Sequence, residues 1–126
     1  MPFEDNTFDV IFCNHVLEHV ADDHKAMTEL CRVMKPGGFG IFQVPVDYSR
    51  ETTLEDPNIT SEEDRVKFYW QKDHVRLYGL DYPSKLEAAG FKTERIDVAK
   101  EIGEELCDRY RLGYKDKVYR VDKPLP

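Results

Sequence analysis

The succession of apolar and helical segments between residues 8 and 45 constrains the fold more than any other feature of this chain. Residues 8–14 form an apolar run of strand length, and residues 39–45 form a second one. Between them, residues 22–34 carry apolar side chains on one helical face. Because Pro-Gly-Gly at 36–38 cannot continue a helix, we expect a turn there. This order predicts two parallel strands joined by a right-handed crossover.

Both predicted strands are almost continuously apolar instead of alternating with polar residues. Such a pattern is typical of strands that are buried on both faces of a sheet. The sequence therefore predicts an α/β fold in which helices cover both sides of the sheet. A chain of 126 residues supports one core, so we expect residues 1–126 to form a single domain.

The rest of the chain predicts a flap and further elements. Residues 47–73 are rich in charge and too long for a simple connection, so we interpret them as a flap over the strand ends. A capping pattern at residues 60–63 predicts a short helix within the flap, at about 61–70, with Val66, Tyr69 and Trp70 on one face. The predicted elements after the flap are a helix at 81–90, a strand at 91–98, an amphipathic helix at about 101–110 and a strand at 117–121.

Charge and cysteine content exclude several classes of function. Acidic residues outnumber basic ones by 25 to 18, and the net charge of −7 disfavours binding to nucleic acid or to a membrane surface. No apolar run approaches the roughly 20 residues that span a bilayer, and no secretory signal is evident. The three cysteines are widely spaced, which indicates reduced thiols. We therefore expect a cytoplasmic protein.

Three stretches in register carry a more specific signal. They are PFEDNTFDVI at residues 2–11, NHVLEHV at 14–20 and LCRVMKPGG at 30–38. In these stretches the chain closely resembles the class I S-adenosylmethionine-dependent methyltransferases, of the type that acts on small molecules. Residues 74–78 and 86–91 are similar to later segments of the same family. The resemblance therefore covers nearly the whole chain.

The resemblance implies the C-terminal half of a Rossmann-like methyltransferase domain. It implies a four-stranded mixed sheet, parallel except for an antiparallel C-terminal strand, with helices on its flanks. The implied cofactor is S-adenosylmethionine, and the implied acceptor is a small molecule that the sequence does not identify. The glycine-rich loop that holds most of the cofactor in that family has no counterpart here, so we expect weak or absent cofactor binding by this chain alone.

The first predicted strand is also a candidate interaction surface. Residues 10–13 are apolar and carry no charge that would discourage pairing with another chain. The resemblance implies that the usual neighbour of this strand is one that the chain lacks. We therefore expect self-association through residues 8–14, or else poor solubility.

Candidate site residues follow the predicted strands, because open α/β sheets bind ligands beyond the carboxyl ends of their strands. The resemblance implies that Asn14, His15 and Val16 contact the cofactor, and His15 is also a candidate catalytic base. His74 is a second candidate base, since histidine titrates near neutrality. The candidate substrate-binding residues lie after the second strand, in the flap and just beyond it: Asp47, Tyr48, Trp70, Arg76 and Tyr78.

The same residues allow other interpretations. For His74 and Arg76 we prefer a structural role, as groups whose hydrogen bonds hold the flap to the next helix. Residues 15–19 match the inverted zinc-peptidase motif H-x-x-E-H, which requires a helix. Because a strand precedes this stretch and the helix start signal follows it, we predict no metal ligands. A further alternative to an enzyme is a non-catalytic remnant that acts by association with itself or with a partner.

Overall fold

The computed structural model describes residues 2–97, 100, 103, 105 and 117–126. Within these residues the elements are β1 (Phe8–Asn14), α1 (Asp23–Val33), β2 (Met34–Gln43), α2 (Glu62–Tyr69), α3 (Tyr82–Ala88), β3 (Lys92–Asp97) and β4 (Lys117–Asp122). The helix predicted at about 101–110 lies almost entirely outside the described residues.

The four described strands form one mixed sheet in the order β1-β2-β4-β3. β1 and β2 run parallel, whereas β4 runs antiparallel to both β2 and β3. This topology confirms the predicted α/β fold, including the antiparallel C-terminal strand. The carboxyl ends of β1 and β2 consequently lie side by side at one edge of the sheet, where Asn14 is opposite Gln43.

Helix α1 connects the two parallel strands as the sequence predicts. It begins where the Asp22 carboxylate accepts a hydrogen bond of 3.0 Å from the backbone N–H of Lys25, which caps the first turn. Met27 and Cys31 lie one helical turn apart and are both buried. They join Phe42 and other residues of β2 and α3 in the main hydrophobic core.

The turn predicted at residues 36–38 is wrong, because β2 already begins at Met34. The chain instead continues alongside β1 through an irregular segment, and Gly37 adopts a φ of +83° that favours glycine. At Gly38 a Cβ atom would lie 2.7 Å from the carbonyl oxygen of Asp9. Glycine is needed here because the two backbones approach closely. In the sequence, a glycine required for close approach looks the same as a glycine required for a turn.

The prediction that both faces of the sheet are covered is wrong for β1. The side chains of Val10 and Phe12 are 41% and 69% exposed. β1 lies at the edge of the sheet, and no described element covers this face of it. An open groove of about 280 Å³ runs along the strand, lined by Phe3, Phe8, Val10, Ile11, Phe12, Leu30 and Val33.

The flap contains the predicted short helix, although its packing differs from the prediction. Ser61 caps α2 by accepting a hydrogen bond of 3.1 Å from the backbone N–H of Asp64. Tyr69 is buried, but Val66 and Trp70 are each about half exposed. Trp70 ends the helix in a left-handed conformation with φ of +76°, so its side chain leaves the face that Tyr69 occupies.

None of the helices among the described residues is both long enough and apolar enough to cross a bilayer.

Candidate functional site

The predicted cofactor residues lie at the carboxyl end of β1, on an open surface. The backbone N–H of His15 donates a hydrogen bond of 2.8 Å to the carbonyl oxygen of Gln43, which holds this end of β1 against β2. His15 then adopts a positive φ of +56°, and its side chain is 69% exposed. Asn14 and Val16 are exposed beside it. The structure therefore brings the three residues together at one edge of the sheet.

The residues after this edge are held in place by one buried arginine. The Arg76 guanidinium donates hydrogen bonds to the carbonyl oxygens of Leu17, Val20 and Ala21, at 2.6, 2.7 and 2.9 Å. It also forms an ion pair of 2.8 Å with the Glu55 carboxylate in the flap. A planar group with five N–H donors suits such multiple contacts. Arg76 thus joins the β1–α1 loop to the flap, and its side chain is directed into the protein.

Tyr78 is likewise directed inward. Its hydroxyl donates a hydrogen bond of 2.7 Å to the Asp23 carboxylate at the start of α1. Burial, and next the bond to Asp23, raise the pKa of Tyr78, so the phenol stays protonated. The backbone of Tyr78 lies parallel to Val46, just past β2. Tyr78 therefore connects the extension of β2 with the first turn of α1.

The remaining substrate candidates follow β2 in the flap segment, and each is at least partly exposed. Asp47 accepts hydrogen bonds from the hydroxyl and the backbone N–H of Ser49, and these bonds lower the pKa of its carboxyl. Tyr48 is 42% exposed and Trp70 is 50% exposed. Two aromatic side chains of the flap segment, Tyr48 and Trp70, are therefore exposed to solvent.

The two candidate bases, His15 and His74, both lie near the carboxylate of Glu18, a residue that the sequence indicates only as part of the zinc-peptidase motif. Glu18 is buried, and its Oε1 atom lies 3.8 Å from Nδ1 of His15 and 4.0 Å from Nε2 of His74. His74 is itself buried, with Nδ1 2.9 Å from the carbonyl oxygen of Tyr69. Residues 15–19 follow the strand as turns and not as a helix, so the spacing H-x-x-E-H was the only signal for Glu18.

The burial of Cys13 at the end of β1 can be tested directly. Burial and, to a lesser degree, the Glu18 carboxylate raise the pKa of its thiol to about 11. Because of this raised pKa, the thiolate fraction of Cys13 below pH 8 should be lower than that of a free cysteine by roughly 100-fold. The thiolate is the form that reacts with alkylating agents. We expect iodoacetamide to alkylate Cys13 correspondingly slowly in the native chain, with a rate that rises about tenfold per pH unit.

Peptide-resolved mass spectrometry measures the alkylation at each cysteine separately. The control is the chain in urea, where unfolding removes the difference in burial among the thiols. Native labelling of Cys13 at pH 8 as fast as in urea would contradict the burial described here.

Comparison with known proteins finds similarity to methyltransferases. A family model described as a methyltransferase domain matches residues 1–42. The ubiquinone/menaquinone biosynthesis C-methyltransferase UbiE of Idiomarina loihiensis is 53% identical over 128 aligned positions, covering 91% of this chain and 49% of that protein. The chain therefore spans about half the length of this relative.

Solved structures share the fold at lower identity. The [4+2]-cyclase SpnF superposes with a TM-score of 0.63 and 19% identity, over 100% of this chain and 54% of that chain. The phosphoethanolamine N-methyltransferase 2 of Haemonchus contortus, solved with S-adenosyl-L-methionine, gives a TM-score of 0.57 and 18% identity, over 97% of this chain and 34% of that chain.

The sheet order and the exposed strand ends define a Rossmann-like α/β fold, a class in which ligands bind beyond the carboxyl ends of parallel strands. Within that class, the chain is similar to the class I S-adenosylmethionine-dependent methyltransferases, in agreement with the resemblance in its sequence. This similarity concerns ancestry and fold, whereas the reaction depends on the site, since one fold supports many chemistries.

Proposed function

We propose that this chain is the C-terminal part of an enzyme that transfers a methyl group from S-adenosylmethionine to a small molecule. The observation that carries the proposal is the position of the family match. Residues 1–42 contain β1 and nearly all of β2, the parallel pair whose carboxyl ends form the open polar edge. In open α/β sheets this edge is where ligands bind.

The residues at this edge suit methyl transfer. Attack on a sulfonium methyl group is an in-line displacement, so the protein chiefly aligns the acceptor and removes a proton where the acceptor still carries one. We assign Asn14, His15 and Val16 to the cofactor side. His15 is the better-placed base, since it is exposed at the strand end, whereas the ring of His74 is buried.

The acceptor lies, in this proposal, between the strand ends and the flap. Asp47, Tyr48 and Trp70 are the surface residues that contact it, and the two aromatic rings are suited to stack on a planar acceptor. A quinol ring is one such acceptor, and the name of the Idiomarina relative refers to quinone biosynthesis. Arg76 and Tyr78, whose side chains are buried, position the loop and the helix that carry the site.

Cofactor binding by the isolated chain is the first test. The glycine-rich loop that dominates cofactor contacts in the resembling family has no counterpart here, so we expect no measurable heat when S-adenosylhomocysteine is titrated into the 126-residue chain. Isothermal titration calorimetry measures this directly. Micromolar binding would contradict the expectation and would show that the described residues alone form a cofactor site.

The methyl-transfer reaction requires a second experiment. We would join the part of the Idiomarina relative that precedes the matching residues to residues 1–126, and measure S-adenosylhomocysteine formation with a quinol acceptor. The matched variants are His15→Ala and His24→Ala, because His24 is an exposed histidine on α1, away from the strand ends. We expect His15→Ala to lower the rate about 100-fold, as loss of a general base does. Equal rates for the two variants would remove His15 from the mechanism.

A non-catalytic role through self-association is the second candidate, and a specific observation favours it. The apolar face of β1 and the adjoining groove are exposed at the edge of the sheet. An unpaired edge strand of this kind readily pairs with another chain. We place the protein in the cytoplasm under either function, because Cys13 and Cys31 are unpaired thiols among the described residues.

A further inference from the structure

Glu18 presents an unusual arrangement for a buried carboxylate. Only 1% of the residue is exposed, and neither carboxylate oxygen accepts a hydrogen bond from the residues that the structure describes. A buried charge without partners is costly, so such groups are normally paired, hydrogen-bonded or bound to a metal. The surroundings of Glu18 therefore have to supply a positive charge.

Two histidine rings face this carboxylate. The Nε2 atom of His19 lies 3.5 Å from Oε1 of Glu18, and Nε2 of His74 lies 4.0 Å from the same oxygen. The three potential ligand atoms all lie within 4.8 Å of one another. Glu18 and His19 belong to the loop after β1, whereas His74 follows the flap helix α2. The cluster thus combines two parts of the chain that are 55 residues apart, counting from His19 to His74.

The contacts of the two Nδ1 atoms show which nitrogen of each neutral ring carries the proton. Nδ1 of His74 lies 2.9 Å from the carbonyl oxygen of Tyr69, and Nδ1 of His19 lies 3.1 Å from the carbonyl oxygen of Asp73. A carbonyl oxygen only accepts hydrogen bonds, so Nδ1 carries the proton in each ring. In the neutral rings, the lone pairs of Nε2 are consequently directed toward Glu18. Metal-binding histidines are oriented in the same way by bonds from their other nitrogen.

We propose that Glu18, His19 and His74 bind a divalent transition-metal ion, for which zinc is the appropriate probe. Two imidazole nitrogens and one carboxylate form a common zinc ligand set, and three protein ligands leave a fourth position open. Ligand atoms around a tetrahedral zinc ion are about 3.3 Å apart. The observed separations are all within 4.8 Å, so the three ligands close around the ion if each ligand atom moves by less than about 1 Å. His19 is 32% exposed, which gives the ion a route from solvent.

The proposed ligand set differs from the inverted zinc-peptidase motif. That motif requires the first and last residues of 15–19 on one helical face, but this stretch is not helical. His15 is mostly exposed, and His74 takes its place inside the cluster. The local motif alone therefore predicts no metal ligands, since it does not include His74. The bound ion would connect the β1–α1 loop to the flap.

The direct experiment is zinc binding by the complete 126-residue chain. The chain is stripped with EDTA, dialysed and titrated with zinc chloride in a calorimeter, and the bound zinc is counted by mass spectrometry after desalting. We expect one zinc ion per chain. At a free zinc concentration 100 times the dissociation constant, the melting temperature should rise by about 10 °C, since zinc binds the folded chain preferentially.

Variants distinguish this site from the cysteine thiols. In Glu18→Gln the amide keeps the shape of the side chain and donates to the Nε2 lone pairs, so we expect a folded chain that melts no lower than the metal-free parent. Its zinc affinity should fall at least 100-fold, as should that of His19→Ala. His24→Ala, on the exposed face of α1, should bind zinc as the parent does.

Two results would overturn the proposal. One is a parent chain that retains no zinc after desalting. The other is unchanged zinc affinity in both Glu18→Gln and His19→Ala, which would locate the ion elsewhere. Because the readout is metal binding, neither result depends on methyl transfer, and failure of the proposed function leaves this test intact.

Discussion

Replacement of Arg76 by methionine lowers the free energy of unfolding by about 3–5 kcal/mol, the range found when one member of a buried charge network is removed. The guanidinium satisfies the carbonyl oxygens of Leu17, Val20 and Ala21, and all three lose their partner at once. Methionine fills a similar volume but donates no hydrogen bond. Urea unfolding followed by circular dichroism measures the loss.

Two comparisons show that this loss comes from the hydrogen bonds of the guanidinium. Arg50→Met removes a 41% exposed guanidinium that lies 3.8 Å from Asp47, and we expect a change below about 0.5 kcal/mol. Arg76→Lys keeps the charge but loses the planar fork, so its stability should fall between that of the parent and Arg76→Met. If Arg76→Met lost less than about 1 kcal/mol, the β1–α1 loop would have to be held by other contacts.

Replacement of Phe12 by lysine should abolish self-association of the isolated chain. Phe12 is 69% exposed on the apolar face of the edge strand β1, next to the open groove. Burying a lysine charge in a paired copy of this face costs about 3 kcal/mol or more, which raises the dissociation constant of a dimer at least 100-fold. Sedimentation velocity over a range of protein concentrations measures this constant.

Phe68→Lys is the matched control for this prediction. Phe68 is a 39% exposed phenylalanine on α2, outside the sheet edge, so its replacement makes the same chemical change without altering β1. We expect Phe68→Lys to associate as the parent does. A parent chain that is monomeric at every concentration would show that the edge of β1 does not pair, and the second candidate function would lose its basis.

Local sequence patterns were sufficient for the elements that position the site. The apolar run at residues 8–14 became β1, and the Asp22 cap together with buried Met27 and Cys31 explains α1. Each of these patterns acts within one strand or within a few helical turns, so neighbouring residues determine it. The location of Asn14 and His15 at the carboxyl ends of the parallel strands followed from the order of these elements.

Other features depended on approach between distant backbones. Gly38 was interpreted as part of a turn, yet it allows β2 to lie close to Asp9 within the sheet. β1 was expected to be covered on both faces, yet Phe12 is exposed because no described element packs on that side. An apolar pattern shows that a strand can be buried on both faces, but burial also requires another element that packs against each face.

The sequence by itself determined the α/β class, the parallel pair of strands and the resemblance to methyltransferases, because periodicity, capping and motif spacing are properties of short stretches. Only the tertiary structure decided that Arg76 fastens the β1–α1 loop and that Glu18 meets His19 and His74. The contacts of Arg76 with Leu17 and of His74 with Glu18 join residues more than 50 positions apart. Their formation depends on how the flap folds back over the sheet, which no local pattern records.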